Sequence, residues 1–215
     1  MLKTKVKASS ITNLTDARYF AAREVTWLGF DLTPGSERQV SPAFVNAIRE
    51  WVDGVQIIGE FGMATEEEIR LAVEAMNLDG VQVGMFTGIP EVRALSGIPV
   101  FKEIVVEPAL TEPELSQTLD AFAPHCEAFL INFDKNRLSF DDVKAGKTFS
   151  PAVLSRLCQA YPILLSIEFE PTQLNEMLDT LNPAGINVMG GEEEKTGFKS
   201  FDDLDEIFES LEVYV

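Results

Sequence analysis

The sequence predicts an α/β protein, a single-domain (β/α)8 or TIM barrel spanning residues 1–215. Three observations carry this expectation. Eight short apolar segments recur along the chain, most followed by a stretch of helical periodicity, as a sheet covered on both faces requires. The length of 215 residues meets the floor for eight such units closed into a barrel, about 200 residues. The alternative, an open doubly wound sheet, normally carries a glycine-rich nucleotide loop after its first strand. That position here reads Ser9-Ser10-Ile11-Thr12-Asn13.

The expected strands are Thr4 to Ser9, Val25 to Leu32, Val55 to Ile58, Gly80 to Val83, Val100 to Val106, Ala128 to Ile131, Ile163 to Leu165 and Ile186 to Met189. Helix signals lie between them. Asn13 caps a helix carrying Ala17, Phe20 and Ala21, and Ser41-Pro42 pairs a cap with proline at the first helical position. Thr65 with Glu68, and Thr111 with Glu114, are capping boxes. Ser150-Pro151 and Pro171 open two more helices, and Leu204, Ile207, Phe208 and Leu211 stripe the last. Ile89 to Leu95 is the shortest expected helix. Trp27 and Trp51 read as packing residues between the strand and helix layers. No linker or low-complexity stretch marks a domain boundary.

The 35 acidic and 17 basic residues give a net charge of −18. Such a surface repels nucleic acid and anionic membranes, and slows phosphorylated substrates unless basic groups gather at one mouth. Cys126 and Cys158 alone make no disulfide framework and read as reduced core thiols of a cytoplasmic protein. The N-terminus has no apolar stretch of the signal-peptide kind, and no run approaches the roughly 18 apolar residues of a membrane span.

A barrel builds its site at the C-terminal ends of its strands. The candidates there are Ser9, Asp31, Glu60, Gln82, Gly84, Glu103, Asn132, Ser166, Glu168, Gly190 and Gly191. None is a cysteine or histidine, and the lone His125 precedes the sixth strand, at the opposite end. No zinc site is therefore expected and no cofactor is called for, although an all-carboxylate magnesium site stays open. Asp31, Glu60 and Glu103 can converge on the mouth and split into an acid and a base. Alternatively they face the outer helices or pair with Arg38 and Lys102.

The chain resembles the phosphoribosylanthranilate isomerase family over nearly its whole length. Lys7-Ala8-Ser9-Ser10-Ile11-Thr12-Asn13 is similar to that family's opening Lys-x-Cys-Gly-Ile-Thr-Asn, and Pro34 to Pro42 to its loop Pro-x-Ser-x-Arg-x-Val-Ser-Pro. Leu28-Gly29-Phe30, Val55 to Phe61, Leu78 to Val83, Gly146-Lys147-Thr148-Phe149, Pro162 to Ser166, Gly190-Gly191-Glu192-Glu193, Gly197 and Lys199 follow in order. The resemblance implies an Amadori rearrangement: a general acid opens the ring of an aminoaldose, and a base removes the C2 proton to give an enolamine. It places the base at Ser9, where the family has cysteine, and the acid at Asn132, where it has aspartate. Lys7, on the same strand face as Ser9, and Asp134, two residues past Asn132, are the replacements within reach. Asp141 and Asp142 lie in the loop beyond.

The resemblance also implies a phosphate site in the turns after strands seven and eight. Ser166-Ile167-Glu168 stands there in place of Ser-Gly-Gly, and Gly190-Gly191 is followed by Glu192, Glu193 and Glu194. Met189 replaces a small residue, and Gly84 stands where a histidine is frequent. Arg38 matches the arginine expected to meet the anthranilate carboxylate, so a small anionic ligand is the expected partner. Three readings stay open: a relative impaired in the isomerisation, an active isomerase with relocated acid and base, or a different carboxylate-dependent isomerase or lyase.

Overall fold

The computed structural model describes residues 1–190, 193–195, 198–199 and 201–213; for 193–195 and 198–199 the backbone alone is described. The chain alternates strand and helix: β1 (Lys5–Ser9), α1 (Leu14–Ala22), β2 (Trp27–Asp31), α2 (Pro42–Arg49), β3 (Gln56–Phe61), α3 (Glu66–Met76), β4 (Gly80–Val83), α4 (Ile89–Ala94), β5 (Val100–Val105), α5 (Glu112–Phe122) and β6 (Ala128–Asn132). Then come α6 (Phe140–Lys144), α7 (Pro151–Ala160), β7 (Ile163–Ser166), α8 (Leu174–Leu181), β8 (Gly185–Met189), a small hairpin of β9 (Glu193–Lys195) and β10 (Phe198–Lys199), and α9 (Asp202–Leu211). Strands β1 to β8 are parallel neighbours in order, and β8 returns to β1, closing the barrel.

The helix starts follow the local chemistry. Asn13, Ser41 and Ser150 each accept a backbone N–H of the first turn. Thr65 and Thr111 form reciprocal capping boxes with Glu68 and Glu114. Each such cap is worth about 1 kcal/mol. Two expectations change. Pro171 opens a 3₁₀ turn, Pro171–Gln173, and the α-helix proper begins at Leu174. Asp141 and Asp142 are in no loop: Ser139 caps α6, whose first turn they occupy. Both fit the rule that proline and carboxylates stabilise a helix start, where free N–H groups face outward.

Side chains alternate between two environments. Val6, Ala8, Leu28, Phe30, Ile57, Val81, Val83, Ile131 and Leu165 point outward into the large core beneath the helices. The inward residues form two levels. The lower is an apolar plug of Trp27, Ile58, Phe101, Ala128, Leu130 and Leu164, with the Trp27 and Phe101 rings edge to face at 5.3 Å. Trp27 therefore packs inside the barrel, not between the layers, because strand alternation sends it inward with Gly29 and Asp31. Trp51 is 63 % exposed just past α2 and packs between no layers. The upper level is polar and buried: Lys7, Glu60, Gln82, Glu103, Asn132, Ser166 and Asn187.

Among the described residues no helix is long and apolar enough to cross a membrane. Cys126 and Cys158 are free thiols, and burial pushes them up to about 11 and about 12.

Candidate functional site

The polar level opens into a cavity of about 350 Å³ at the C-terminal ends of the strands. Ser9, Asp31, Arg38, Glu60, Gln82, Glu103, Asn132, Asp134 and Ser166 all line it, so the candidates from seven separate strand ends come together. The register sets the neighbours: Asp31, Glu60 and Gln82 stand side by side on β2, β3 and β4, and Asn132 stands beside Ser166 on β6 and β7.

Lys7 lies directly beneath, with no exposed surface. Its ammonium forms an ion pair with Glu60 and donates to Ser9 Oγ at 2.6 Å. Glu60 also accepts from the Ser10 backbone N–H at 3.0 Å and the Ser10 hydroxyl at 3.3 Å. Those bonds hold Ser10 at φ +54°, a left-handed conformation that costs a residue with a Cβ roughly 1 kcal/mol. Gly29, next to the pair, leaves it room: a Cβ there would lie 2.8 Å from Lys7 Nζ.

From Lys7 a chain of bonds runs around the barrel. Ser9 Oγ donates to Asn187 Oδ1 at 2.6 Å, Asn187 Nδ2 donates to Ser166 Oγ at 3.1 Å, and Ser166 Oγ donates to Asp134 Oδ2 at 2.5 Å. The two ends fix its sense. An ammonium can only donate and a carboxylate can only accept, so each hydroxyl proton and the Asn187 amide orientation follow. Asp134 stands at the rim. Burial raises its pKa, the Ser166 bond pulls it back, and the nearby charge of Glu168 raises it further.

A second cluster surrounds position 132. The backbone N–H of Lys135 donates to Asn132 Oδ1 at 3.0 Å, which turns Asn132 Nδ2 toward Glu103 Oε1 at 2.8 Å. Lys135 Nζ meets the other Glu103 oxygen at 2.8 Å. Asp31 accepts from the Thr33 N–H at 2.8 Å and the Ser36 hydroxyl at 2.5 Å. The three carboxylates thus share one cavity while each keeps its own partners. None pairs with Arg38 or Lys102. Arg38 reaches over the mouth to Met189 Sδ at 4.0 Å and has no carboxylate partner among the described residues.

Lys102 points the other way, out of the barrel. It donates to the carbonyls of Gly84 at 2.6 Å, Met85 at 3.2 Å and Thr87 at 2.8 Å, pinning the loop after β4. Burial pushes its pKa down to about 8. A Cβ at Gly84 would lie 2.5 Å from the Gly62 carbonyl oxygen, so this turn admits glycine alone.

The remaining candidates stand apart. Ile167 is 4 % exposed in the core, and Glu168 is exposed outside the cavity lining. Gly190 faces Asp16, whose Oδ2 would be 2.6 Å from a Cβ there. Gly191, Glu192 and Gly197 lie outside the described residues, as do the side chains of Glu193, Glu194 and Lys199. His125 is half-buried before β6 and accepts from Arg93 at 3.0 Å.

Sequence reasoning missed Asn187, Lys135 and Ser10. Asn187 had a signal: it alternates with Gly185 and Met189 and pairs with Lys7 across β1 and β8, so a period of two faces it inward. Lys135 had none, since its place depends on the 3₁₀ turn Asp134–Asn136.

The family model for N-(5'-phosphoribosyl)anthranilate (PRA) isomerase matches residues 6–210. The N-(5'-phosphoribosyl)anthranilate isomerase of Maridesulfovibrio salexigens is 25 % identical, over 96 % of this chain and 97 % of its own. That of Trichormus variabilis is 27 % identical, over 96 % and 98 %. Among solved structures, phosphoribosyl anthranilate isomerase from Thermus thermophilus superposes with a TM-score of 0.73 at 26 % identity, covering 95 % of this chain and 96 % of that one. The Thermotoga maritima enzyme gives 0.75 at 24 % identity, covering 96 % and 97 %, a likeness of fold.

Proposed function

The chain belongs to the N-(5'-phosphoribosyl)anthranilate isomerase family, and from that premise we propose that it is a divergent member impaired in the Amadori isomerisation, whose barrel mouth binds a small organic anion at Arg38. The observation that carries this reading is that neutral, hydrogen-bonded side chains stand at the two positions the family resemblance assigns to proton transfer. Ser9 Oγ accepts from Lys7 and donates to Asn187. A serine hydroxyl is far too weak a base near neutral pH without a neighbour to take its proton, and the neighbour here is an ammonium already paired with Glu60. Asn132 donates to Glu103 and accepts from the Lys135 backbone, and a carboxamide releases no proton at useful pH.

The surroundings suit the missing groups. A cysteine at position 9 would sit against the Lys7 ammonium, which favours a thiolate. An aspartate at 132 would face Glu103 across a hydrogen-bond distance, and two carboxyls so placed hold one proton between them at raised pKa. One observation favours the second reading, an active isomerase with relocated groups: the raised pKa of Asp134 at the cavity rim is what a replacement acid needs.

The test is turnover of freshly generated phosphoribosylanthranilate by the wild type, Ser9→Cys, Asn132→Asp and the double variant. The expected result is no wild-type turnover and activity appearing in the double variant. Robust wild-type turnover lost in Asp134→Asn overturns the proposal in favour of relocated groups.

A further inference from the structure

We infer that the β6 and β7 end of the mouth is an ammonium subsite, so that the ligand of this cavity is a small unphosphorylated zwitterion with an apolar body. The inference rests on the binding role proposed for Arg38 and names the ligand class.

The lining carboxylates are not equivalent. Glu60 and Glu103 are neutralised by Lys7 and Lys135, and both oxygens of Asp31 are taken by its own loop. Asp134 has one hydroxyl donor, from Ser166, and no cation partner among the described residues. Glu168 adds a second negative charge beside it, and Ile167 anchors that turn in the core. A phosphate at this end would face Asp134, with the charge of Glu168 outside the lining adding to the repulsion, whereas an ammonium would compensate the buried Asp134 carboxylate.

An independent observation also calls for a ligand. Gln82 lines the cavity, is 9 % exposed, and its Oε1 is buried without a hydrogen-bond partner. An unpaired buried amide oxygen costs about 1–3 kcal/mol, which an N–H donor of the ligand, such as an ammonium, would recover after a small adjustment of the side chain. Arg38, whose guanidinium lies over the mouth against Met189 at the end of β8, supplies the opposite charge. Phe61, Leu130 and Met189 supply apolar wall, and about 350 Å³ is the lower end of small-molecule sites. A carboxylate, an apolar body and an ammonium match this lining; α-amino acids with apolar side chains are the plainest members of the class.

The test is calorimetric titration of the intact chain with L-phenylalanine, its deaminated counterpart 3-phenylpropanoate, its decarboxylated counterpart phenethylamine, and inorganic phosphate. Phenylalanine should bind about tenfold or more tightly than either half-molecule. Asp134→Asn, which keeps an acceptor for Ser166, should abolish the advantage of phenylalanine over 3-phenylpropanoate. Equal or tighter binding of 3-phenylpropanoate, competition by phosphate, insensitivity to Asp134→Asn, or no binding of any organic probe each overturns the subsite. Turnover of phosphoribosylanthranilate is scored separately. An active wild type that still prefers phenylalanine sinks the impairment reading and keeps the subsite; an inactive one that prefers phosphate does the reverse.

Discussion

Replacing Glu60 with glutamine should destabilise the barrel far more than replacing Lys7 with methionine. The Lys7 side chain has no exposed surface and that of Glu60 has 8 %. In Glu60→Gln the ammonium stays buried with two neutral acceptors, Ser9 Oγ and the new amide oxygen. Breaking a buried pair in this way costs about 3–5 kcal/mol. In Lys7→Met the carboxylate keeps the Ser10 N–H and hydroxyl and borders the cavity, so the loss should be about 1–2 kcal/mol. The double variant buries no unpaired charge and should be more stable than Glu60→Gln alone, a coupling of about 2 kcal/mol. Urea unfolding at neutral pH followed by circular dichroism reads all four proteins. For a chain of this size Glu60→Gln should lower Tm by roughly 6–20 °C. A Glu60→Gln protein within about 1 kcal/mol of wild type, or a Lys7→Met protein less stable than it, would refute the idea that burial of the ammonium dominates this pair.

Gly29→Ala puts a Cβ 2.7 Å from Glu60 Cδ and 2.8 Å from Lys7 Nζ; it should cost about 1–3 kcal/mol in urea unfolding, and less in the Lys7→Met background, where one of the obstructing ends changes. Lys102 releases its proton at about 8 in the folded chain against 10.5 unfolded, so the unfolded state binds more protons between those values and this residue's contribution to stability rises with pH across the window, by about 3 kcal/mol in all. Lys102→Met should lack that rise, so the difference in urea midpoints between the two proteins should change from about pH 8 to about pH 10.5; a constant difference would show that Lys102 titrates normally. Ser9→Cys with Asn132→Asp should gain isomerase turnover, and Asp134→Asn should lose the preference for phenylalanine.

The barrel was legible because its outward strand faces and its helix caps are local signals. Val6, Ala8, Ile57, Val81 and Ile131 mark strands wherever they sit, and Asn13, Ser41 and Thr65 mark helix starts from their own neighbours. The polar upper level was only half legible. Ser9, Glu60, Glu103 and Asn132 could be read as strand-end residues from sequence, and they line the cavity. Partners across strands could not be read, because they are set by register between strands distant in the chain, as Ser9 with Asn187, or by a turn, as Lys135 with Asn132. Trp27 shows the same limit: an aromatic in a strand announces burial, and only closure of the sheet decides which side of the wall it is buried on.

The donor chain from Lys7 to Asp134 has a direction, and after its first link along β1 it runs around the wall of the barrel. It passes from β1 to β8 to β7 and ends just beyond β6, three steps along the circumference. Dipoles aligned head to tail polarise one another. A positive charge arriving at Asp134 draws Ser166's acceptor away from it, while one withdrawn leaves each link tighter; either way the change is transmitted sideways through Asn187 to the hydroxyl of Ser9. Two ends of the mouth with no common strand are therefore joined by one continuous run of hydrogen bonds, and a substitution at Ser166 or Asn187 divides it in two.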